Sequence, residues 1–294
     1  MDHAPTASPL STFSDDIAAL VRRASRSVVG VRSHRSQGSG FAWRPGLIVT
    51  ADENVTDEDW LAVVLPGGAT VLATLKGRDP STDVALLRVD APALEPITAT
   101  TRDVVAGSLA VVVGADDGAP VAALGIVARA GPAWRSLRGG NVDARIEVDT
   151  LVRGSSEGGV AFDATGRAIG MAVFGPRRRV LVIPASTIDR VAAKLDADGR
   201  IARGYLGLGL QGVRIENGGV GAMVMSVDAD GPGVRAGIRQ GDVIAAWNGH
   251  AIDGVNDLLR ELGPDSVGSV VRLAASRGGE PMTFDVTIGA RPER

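Results

Sequence analysis

The apolar positions between residues 28 and 184 fall in short, β-branched runs separated by turns such as Pro66-Gly67-Gly68 and Asp79-Pro80-Ser81. Runs of this kind predict β-strands rather than helices. The first six predicted strands are Val28–Val31, Gly40–Trp43, Leu47–Thr50, Leu61–Leu65, Thr70–Leu75 and Val84–Val89. The next six are Ser108–Gly114, Val121–Ala130, Ala144–Val148, Gly159–Asp163, Ala168–Phe174 and Val180–Pro184. Two sets of six strands with no long helix between them predict two packed β-barrels.

Two segments beside these strands have helical periodicity. A helix is predicted from Ser14 to Arg23, because acids occupy its first turn and arginines its last, as the helix dipole favours. The preceding residues 1–12 are rich in Pro, Ser and Thr and are expected to be disordered. A second helix is predicted over Ser186–Leu195, with a linker at residues 196–200.

The last part of the chain forms a separate pattern of roughly 90 residues, which is within the usual size of a domain. Its predicted elements are strands at Leu208–Val213 and Gly221–Val227, a hairpin turn at Asn248-Gly249, a helix at Val255–Leu262 and two final strands. The Asn-Gly pair favours a type I′ turn. The predicted organisation is therefore a disordered N-terminus at residues 1–12, a two-barrel domain at 13–198 and a second domain at 201–294.

The amino-acid composition and net charge exclude several classes of function. The 39 glycines and the aromatic content of 3% are typical of a β-rich chain with many tight turns. The absence of cysteine excludes disulfides and thiolate chemistry, and a net charge of −3 gives no electrostatic signature of binding to nucleic acid or to an anionic membrane. No apolar run approaches the roughly 20 residues that span a bilayer. The N-terminus has no export signal, so the sequence as written predicts a cytoplasmic protein, or a periplasmic one if a leader was removed.

Several motifs match those of one protein family. They are Gly38-Ser39-Gly40-Phe41, Asp79–Leu87, Gly125–Ala128, Glu147–Ala161, Val182–Ala185, Gly231–Gly237 and Gly241–Ile244. On these motifs the chain resembles the HtrA (Deg) family, in which a trypsin-like serine protease domain is followed by a PDZ domain. The resemblance implies a mostly β structure with a chymotrypsin/trypsin-like double β-barrel, followed by a PDZ domain.

The catalytic positions that the resemblance implies are altered. The family's triad occurs in the chain order His, Asp, Ser, and its His and Ser positions fall on Glu53 and Glu157, whereas Asp83 is retained. A serine nucleophile needs a neighbouring base to take its proton. None of the three histidines, His3, His34 and His250, is expected near this site. The sequence therefore predicts a non-catalytic pseudoprotease that needs no cofactor.

Two alternatives remain open for the cleft. The chain could be a weakly active serine endopeptidase that uses the hydroxyl of Ser155 or Ser156, although Ser155 replaces a glycine of the family and puts the loop conformation in question. Alternatively, Glu53, Asp83 and Glu157 could converge on a cation. A set of oxygen ligands would suit Ca²⁺, Mg²⁺ or Mn²⁺.

The PDZ part is predicted to be competent for binding. The family's carboxylate-binding loop corresponds to Tyr205-Leu206-Gly207-Leu208, and the strand that follows would pair with a bound peptide. The opposite wall of the groove is predicted at Leu258, Leu259 and Leu262, although these leucines could instead form the core. The resemblance implies a protein or peptide ligand and either a homo-oligomer, such as a trimer, or an active paralogue as partner.

Overall fold

The computed structural model describes residues 8–57, 59–100, 102–175, 179–215 and 219–292. The chain divides into two compact units. The first comprises Met1–Trp134 and Val142–Arg200, and the second comprises Arg135–Asn141 and Ile201–Arg294. The sequence did not predict that residues 135–141 group with the second unit.

The first unit begins with a closed β-barrel whose strand order is β1-β2-β3-β6-β5-β4. Its elements are the helix α1 (Pro9–Ala24) and the strands β1 (Val28–Ser33), β2 (Ser36–Arg44), β3 (Leu47–Thr50), β4 (Leu61–Val64), β5 (Thr70–Asp79) and β6 (Val84–Val89). Alternate β-branched and leucine side chains point inward and form a core that includes Val29, Val63 and Leu87, each fully buried. The barrel predicted from the first six apolar runs is confirmed.

A second closed barrel follows in the order β11-β14-β13-β12-β7-β8. Its strands, with the two short strands of an additional hairpin, are β7 (Leu109–Asp116), β8 (Ala119–Gly131), β9 (Trp134–Arg135), β10 (Asn141–Val142), β11 (Arg145–Asp149), β12 (Gly159–Asp163), β13 (Ala168–Phe174) and β14 (Val180–Pro184). The helix α2 (Ala185–Asp198) ends this unit. The mostly β, double-barrel fold class is therefore confirmed.

Two expectations at the ends of this unit were wrong. Residues 9–12 belong to α1, which begins at Pro9, and the side chain of Ser8 accepts a hydrogen bond from the Ser11 amide. The Pro and Ser residues interpreted as signs of disorder are start signals for a helix. Residues 196–198, assigned to the linker, form the last turn of α2, which Gly199 ends with a left-handed φ of 72°. Residues 1–7 of the predicted disordered segment lie outside the described residues.

The second unit contains a sheet with the strand order β16-β17-β18-β20-β21 and a separate pair formed by β15 and β22. Its elements are β15 (Gly204–Tyr205), β16 (Leu208–Arg214), β17 (Val220–Val227), α3 (Pro232–Arg235), β18 (Val243–Trp247), β19 (His250–Ala251), α4 (Val255–Glu261), β20 (Val270–Arg277), β21 (Glu280–Thr287) and β22 (Gly289–Ala290). Asn248 and Gly249 both have positive φ, as a type I′ turn requires, and they join β18 to β19. Strand β16 lies at the edge of the sheet and pairs only with β17 among the described strands.

Candidate functional site

The cleft of the first unit is built by loops that follow β3, β5 and β11. A 3₁₀ turn at Asp52–Asn54 contains Glu53, and the β5–β6 turn contains Asp83. A second 3₁₀ turn, Gly154–Ser156, leads into Glu157. The loops therefore bring the three triad positions predicted from the sequence close together, since the charges of Glu53 and Glu157 both raise the pKa of Asp83.

Asn54 connects two of these loops and was not among the site residues predicted from the sequence. Its buried side chain donates from Nδ2 to the carbonyl of Glu157 at 2.9 Å and to the carbonyl of Ser39 at 3.3 Å. The Ser39 amide also donates to the Glu157 carbonyl, at 2.7 Å. The family's His motif, T-N-x-H-V, aligns with residues 50–54, so Asn54 stands at the valine position. A polar residue at this apolar motif position was the available signal.

Glu53 does not replace the imidazole of the family's catalytic histidine. Its side chain is exposed, and its backbone amide donates to Asp83 Oδ1 at 3.3 Å. The neighbouring Asp52 is the buried acid of this turn, and it is paired with Arg78 at 2.5 Å. A carboxylate at position 53 repels an ionised Asp83, whereas an imidazolium would attract it.

Asp83 is the most perturbed acid of the cleft. It has a φ of 58°, which is uncommon for a residue other than glycine but tolerated by Asp and Asn. Burial, together with the charges of Glu53, Asp52 and Glu157, raises the pKa of Asp83 to about 7, while the hydrogen bond from the Glu53 amide opposes this rise. A substantial fraction of Asp83 is therefore protonated at neutral pH, so this residue is poorly suited to orient and charge-stabilise a base.

The loop around Glu157 directs its amides inward. The Glu157 amide donates to the Gly154 carbonyl at 3.1 Å, and the Ser156 amide donates to the Arg153 carbonyl at 2.9 Å. The Ser39 hydroxyl donates to the Ser155 carbonyl and fixes this arrangement from the neighbouring strand. An oxyanion hole requires amides at this loop that point at the substrate. The Glu157 amide is instead used within the loop.

The Glu157 side chain points along β13. Its Oε1 accepts a hydrogen bond from the Phe174 amide at 3.2 Å, at the end of that strand. In the described part of the chain, no three His, Asp or Glu side chains lie close enough to hold a metal ion. The charges of Glu53 and Glu157 therefore raise the pKa of Asp83, but the three carboxylates do not form a ligand set within the described residues.

The described histidines have other surroundings. His34 lies in the turn between β1 and β2, stacks against Trp60 with ring centroids 5.4 Å apart, and is 3.8 Å from Asp57. His250 belongs to the β18–β19 hairpin of the second unit and is exposed. His3 lies outside the described residues.

The predicted carboxylate-binding loop of the second unit has free amides. Gly207 has a φ of 70°, and a Cβ there would lie 2.8 Å from the Gly231 Cα. The carbonyls of Leu206 and Gly207 accept hydrogen bonds from Gly233 and Asp228. Within the described residues, the amides of Leu206 and Gly207 have no acceptor. Because buried amides are nearly always paired, two neighbouring free amides are an arrangement suited to an anionic ligand.

The helix α4 divides its leucines between core and surface. Leu258 is fully buried and Leu262, just after the helix, is 7% exposed, and both belong to the core of this unit. Leu259 is 47% exposed. Of the three leucines predicted to line the groove, Leu258 and Leu262 are therefore primarily core residues.

Comparisons with known proteins agree with both halves of the chain. A model of the trypsin-like peptidase domain matches residues 38–171, and a model of the PDZ domain matches residues 204–288. The chain is 33% identical to a protein named probable periplasmic serine endoprotease DegP-like from Brucella suis, over 99% of this chain and 62% of that protein. The chain thus spans less than two thirds of the length of this curated relative.

Solved structures give the same result. A serine endoprotease from Yersinia pestis is 26% identical with a TM-score of 0.70, and the match covers 99% of this chain and 100% of that one. A structure described as the HtrA-type protease AlgW with decapeptide is 22% identical with a TM-score of 0.69, over 94% and 99% of the two chains. The names of the curated relatives place them in the periplasm, so the cytoplasmic expectation is not supported. Among the described residues, no helix is long and apolar enough to cross a membrane.

Proposed function

The chain belongs to the HtrA (Deg) family, and within that family we propose that it is a non-catalytic pseudoprotease. Its PDZ domain binds the C-terminal segments of polypeptides, and its barrels act as a scaffold or adaptor. Curated relatives are named serine endoproteases, so this proposal separates the chain from them on the chemistry of its own cleft.

The observation that supports the proposal best is the replacement of both proton-transfer partners. Glu53 and Glu157 stand at the positions of the base and the nucleophile, and the described histidines contact other parts of the chain. A serine hydroxyl at its ordinary pKa is a poor nucleophile without a base. The Glu157 amide, used within its own loop, is a second obstacle, because loss of one oxyanion donor alone typically costs about 10²–10³ in kcat.

The binding half of the proposal rests on the free amides of Leu206 and Gly207 beside the edge strand β16. A peptide carboxylate would accept from these amides while the peptide extends the sheet as an added strand. Leu259 is the exposed leucine of α4 and would contact the peptide's side chains.

A matched pair of glycine variants tests peptide binding. Gly207→Ala forces a Cβ to within 2.8 Å of Gly231 at a positive φ, whereas a Cβ at Gly212, in the same edge strand, meets nothing within 4 Å. Binding of a fluorescent peptide library with free C-termini should be lost in Gly207→Ala and retained in Gly212→Ala. Amidation of the peptide C-termini should abolish binding to the unmodified chain and to Gly212→Ala. Equal binding of free and amidated peptides would contradict the carboxylate loop.

The second candidate function is a weak serine endopeptidase, which the names of the relatives favour. Ser156 is buried and Ser155 is half-buried in the loop that precedes Glu157. This candidate requires cleavage of an unfolded protein substrate that disappears in Ser156→Ala or Ser155→Ala. Cleavage that persists in both variants belongs to a contaminating protease.

The location proposed for the protein is the periplasm, which the names of its curated relatives favour. On the family resemblance, we expect a homo-oligomer or a complex with an active paralogue. Light scattering coupled to size-exclusion chromatography gives the mass of the assembly, and a trimer is the expected result. A monomer at all concentrations would leave the paralogue as the partner.

A further inference from the structure

The outer face of the second barrel has three arginines around one glutamate. Glu147 Oε1 accepts from Arg145 Nε at 2.8 Å and lies 3.8 Å from Arg129 Nη1, and Oε2 lies 3.4 Å from Arg179 Nη1. The Glu147 side chain is only 10% exposed, whereas the arginine side chains are 44–67% exposed.

Strand register produces this cluster. Ile146 and Val148 point into the barrel core, so Glu147 between them points outward. On β8, Arg129 is the direct partner of Glu147, and a bulge follows at Glu147/Val148. Arg179 immediately precedes Val180, the partner of Val148 on β14. Arg129 and Arg145 are thus placed by paired strands, and Arg179 lies directly before the first residue of β14.

One carboxylate cannot neutralise three guanidinium groups. A hydrogen bond from Arg145, with the charges of the arginines, holds the pKa of Glu147 below its usual range, so the carboxylate remains ionised at neutral pH. The cluster therefore has two uncompensated positive charges. Each arginine has five N–H donors in a planar fork, and most of them are left for an external acceptor such as a carboxylate.

The strand that contains Arg129 also has exposed apolar side chains. Leu124 and Ile126 on β8 are 43% and 45% exposed. Trp134 packs beneath the Arg145 guanidinium at 5.4 Å, and its indole Nε1 is buried with no acceptor among the described residues. Because this nitrogen is buried, it is not accessible to an external ligand, and the indole contributes by supporting the Arg145 guanidinium with its ring.

We propose that this surface, the arginine face (Arg129, Arg145, Arg179, Leu124 and Ile126), docks an acidic polypeptide segment that alternates carboxylate and apolar side chains. Charge complementarity selects the carboxylates, and the exposed leucine and isoleucine accept the apolar groups. A nucleic acid fits less well, because its phosphates and sugars offer no aliphatic side chains to the exposed Leu124 and Ile126.

Fluorescence anisotropy of the full chain with a labelled peptide of repeated Glu-Ser-Leu-Asp units tests the proposal. The peptide is amidated at its C-terminus, so that the PDZ carboxylate loop does not contribute. Its affinity should fall about tenfold or more in the Arg129→Ala/Arg179→Ala variant and should weaken with added salt. The matched control is Arg272→Ala, which removes an exposed arginine that pairs with Asp285 on the sheet of the second unit. The control should bind as tightly as the unmodified chain.

Three results would overturn the proposal. The first is no detectable binding at about 1 mM peptide, since a dissociation constant of that size corresponds to a binding free energy of only about −4 kcal/mol. The second is equal affinity of the double variant and the control for the peptide. The third is tighter binding of a single-stranded oligonucleotide of the same charge. Circular dichroism checks the fold of each variant. If the double alanine variant unfolds, Arg129→Gln and Arg179→Gln keep longer side chains and allow the same comparison.

Discussion

Asp83 provides a quantitative test of the altered cleft. Its pKa rises from an ordinary value of 3.8 to about 7 because it is buried beside other carboxylates. At about 1.36 kcal/mol per pKa unit, the ionised group costs the folded protein up to about 4 kcal/mol. The Asp83→Asn variant removes this cost. Asn tolerates the φ of 58°, and its side-chain oxygen still accepts the hydrogen bond from the Glu53 amide.

The sign of the pH dependence follows from the direction of the pKa change. Because the pKa of Asp83 is higher in the folded than in the unfolded state, the folded state binds more protons between pH 3.8 and about 7. The contribution of Asp83 to stability is therefore fully present below pH 3.8, is lost as the pH rises toward 7, and is constant above that. The variant should be about as stable as the unmodified chain at pH 4 and up to about 4 kcal/mol more stable at pH 8.

Urea unfolding followed by tryptophan fluorescence gives this difference for the first unit alone. In a Trp247→Phe background, the remaining tryptophans, Trp43, Trp60 and Trp134, all belong to the first unit. The control is Asp117→Asn, which also has positive φ but is exposed and paired with Arg32, so its effect should stay within about 1 kcal/mol. A stability difference for Asp83→Asn that is the same at pH 4 and pH 8, or a destabilised variant at pH 8, would refute the reasoning.

Three further substitutions test the remaining parts of the two sites. Asn54→Val leaves the Ser39 carbonyl with fewer donors and removes the bond to the Glu157 carbonyl, so urea unfolding should show a loss of about 1–3 kcal/mol; no loss would contradict the role of Asn54 as the connection between the loops. Leu258→Ala should destabilise the second unit by about 2–5 kcal/mol, whereas Leu259→Ala should change its stability little and weaken peptide binding. A larger loss of thermal stability in Leu259→Ala than in Leu258→Ala would contradict this assignment of Leu258 to the core and Leu259 to the groove.

The barrels were predictable because their strands are encoded locally. Short β-branched runs between turn residues predicted all twelve barrel strands to within about four residues at each end. The bounds of Leu47–Thr50 and Val84–Val89 agree in full with the structure. The start of α1 was missed because Pro9 and Ser8 favour both a helix N-terminus and disorder, and only the observed cap distinguishes them.

The contacts that define the site were not predictable in this way. Asn54 and Glu157 are 103 positions apart, and their hydrogen bond depends on how the two barrels pack. The arginine face likewise depends on register, because Arg129 meets Glu147 only through the pairing of β8 with β11. Periodicity predicts which face of a strand is buried, but it does not predict which strand lies beside it.

The most direct test of the central claim is proteolysis of unfolded casein by the purified chain, with an active family member as positive control. We expect no cleavage above the level of a blank preparation, even after long incubation and with mass-spectrometric detection of products. Cleavage by the unmodified chain that disappears in Ser156→Ala or Ser155→Ala would contradict the pseudoprotease and would show that the loop before Glu157 supplies a working nucleophile.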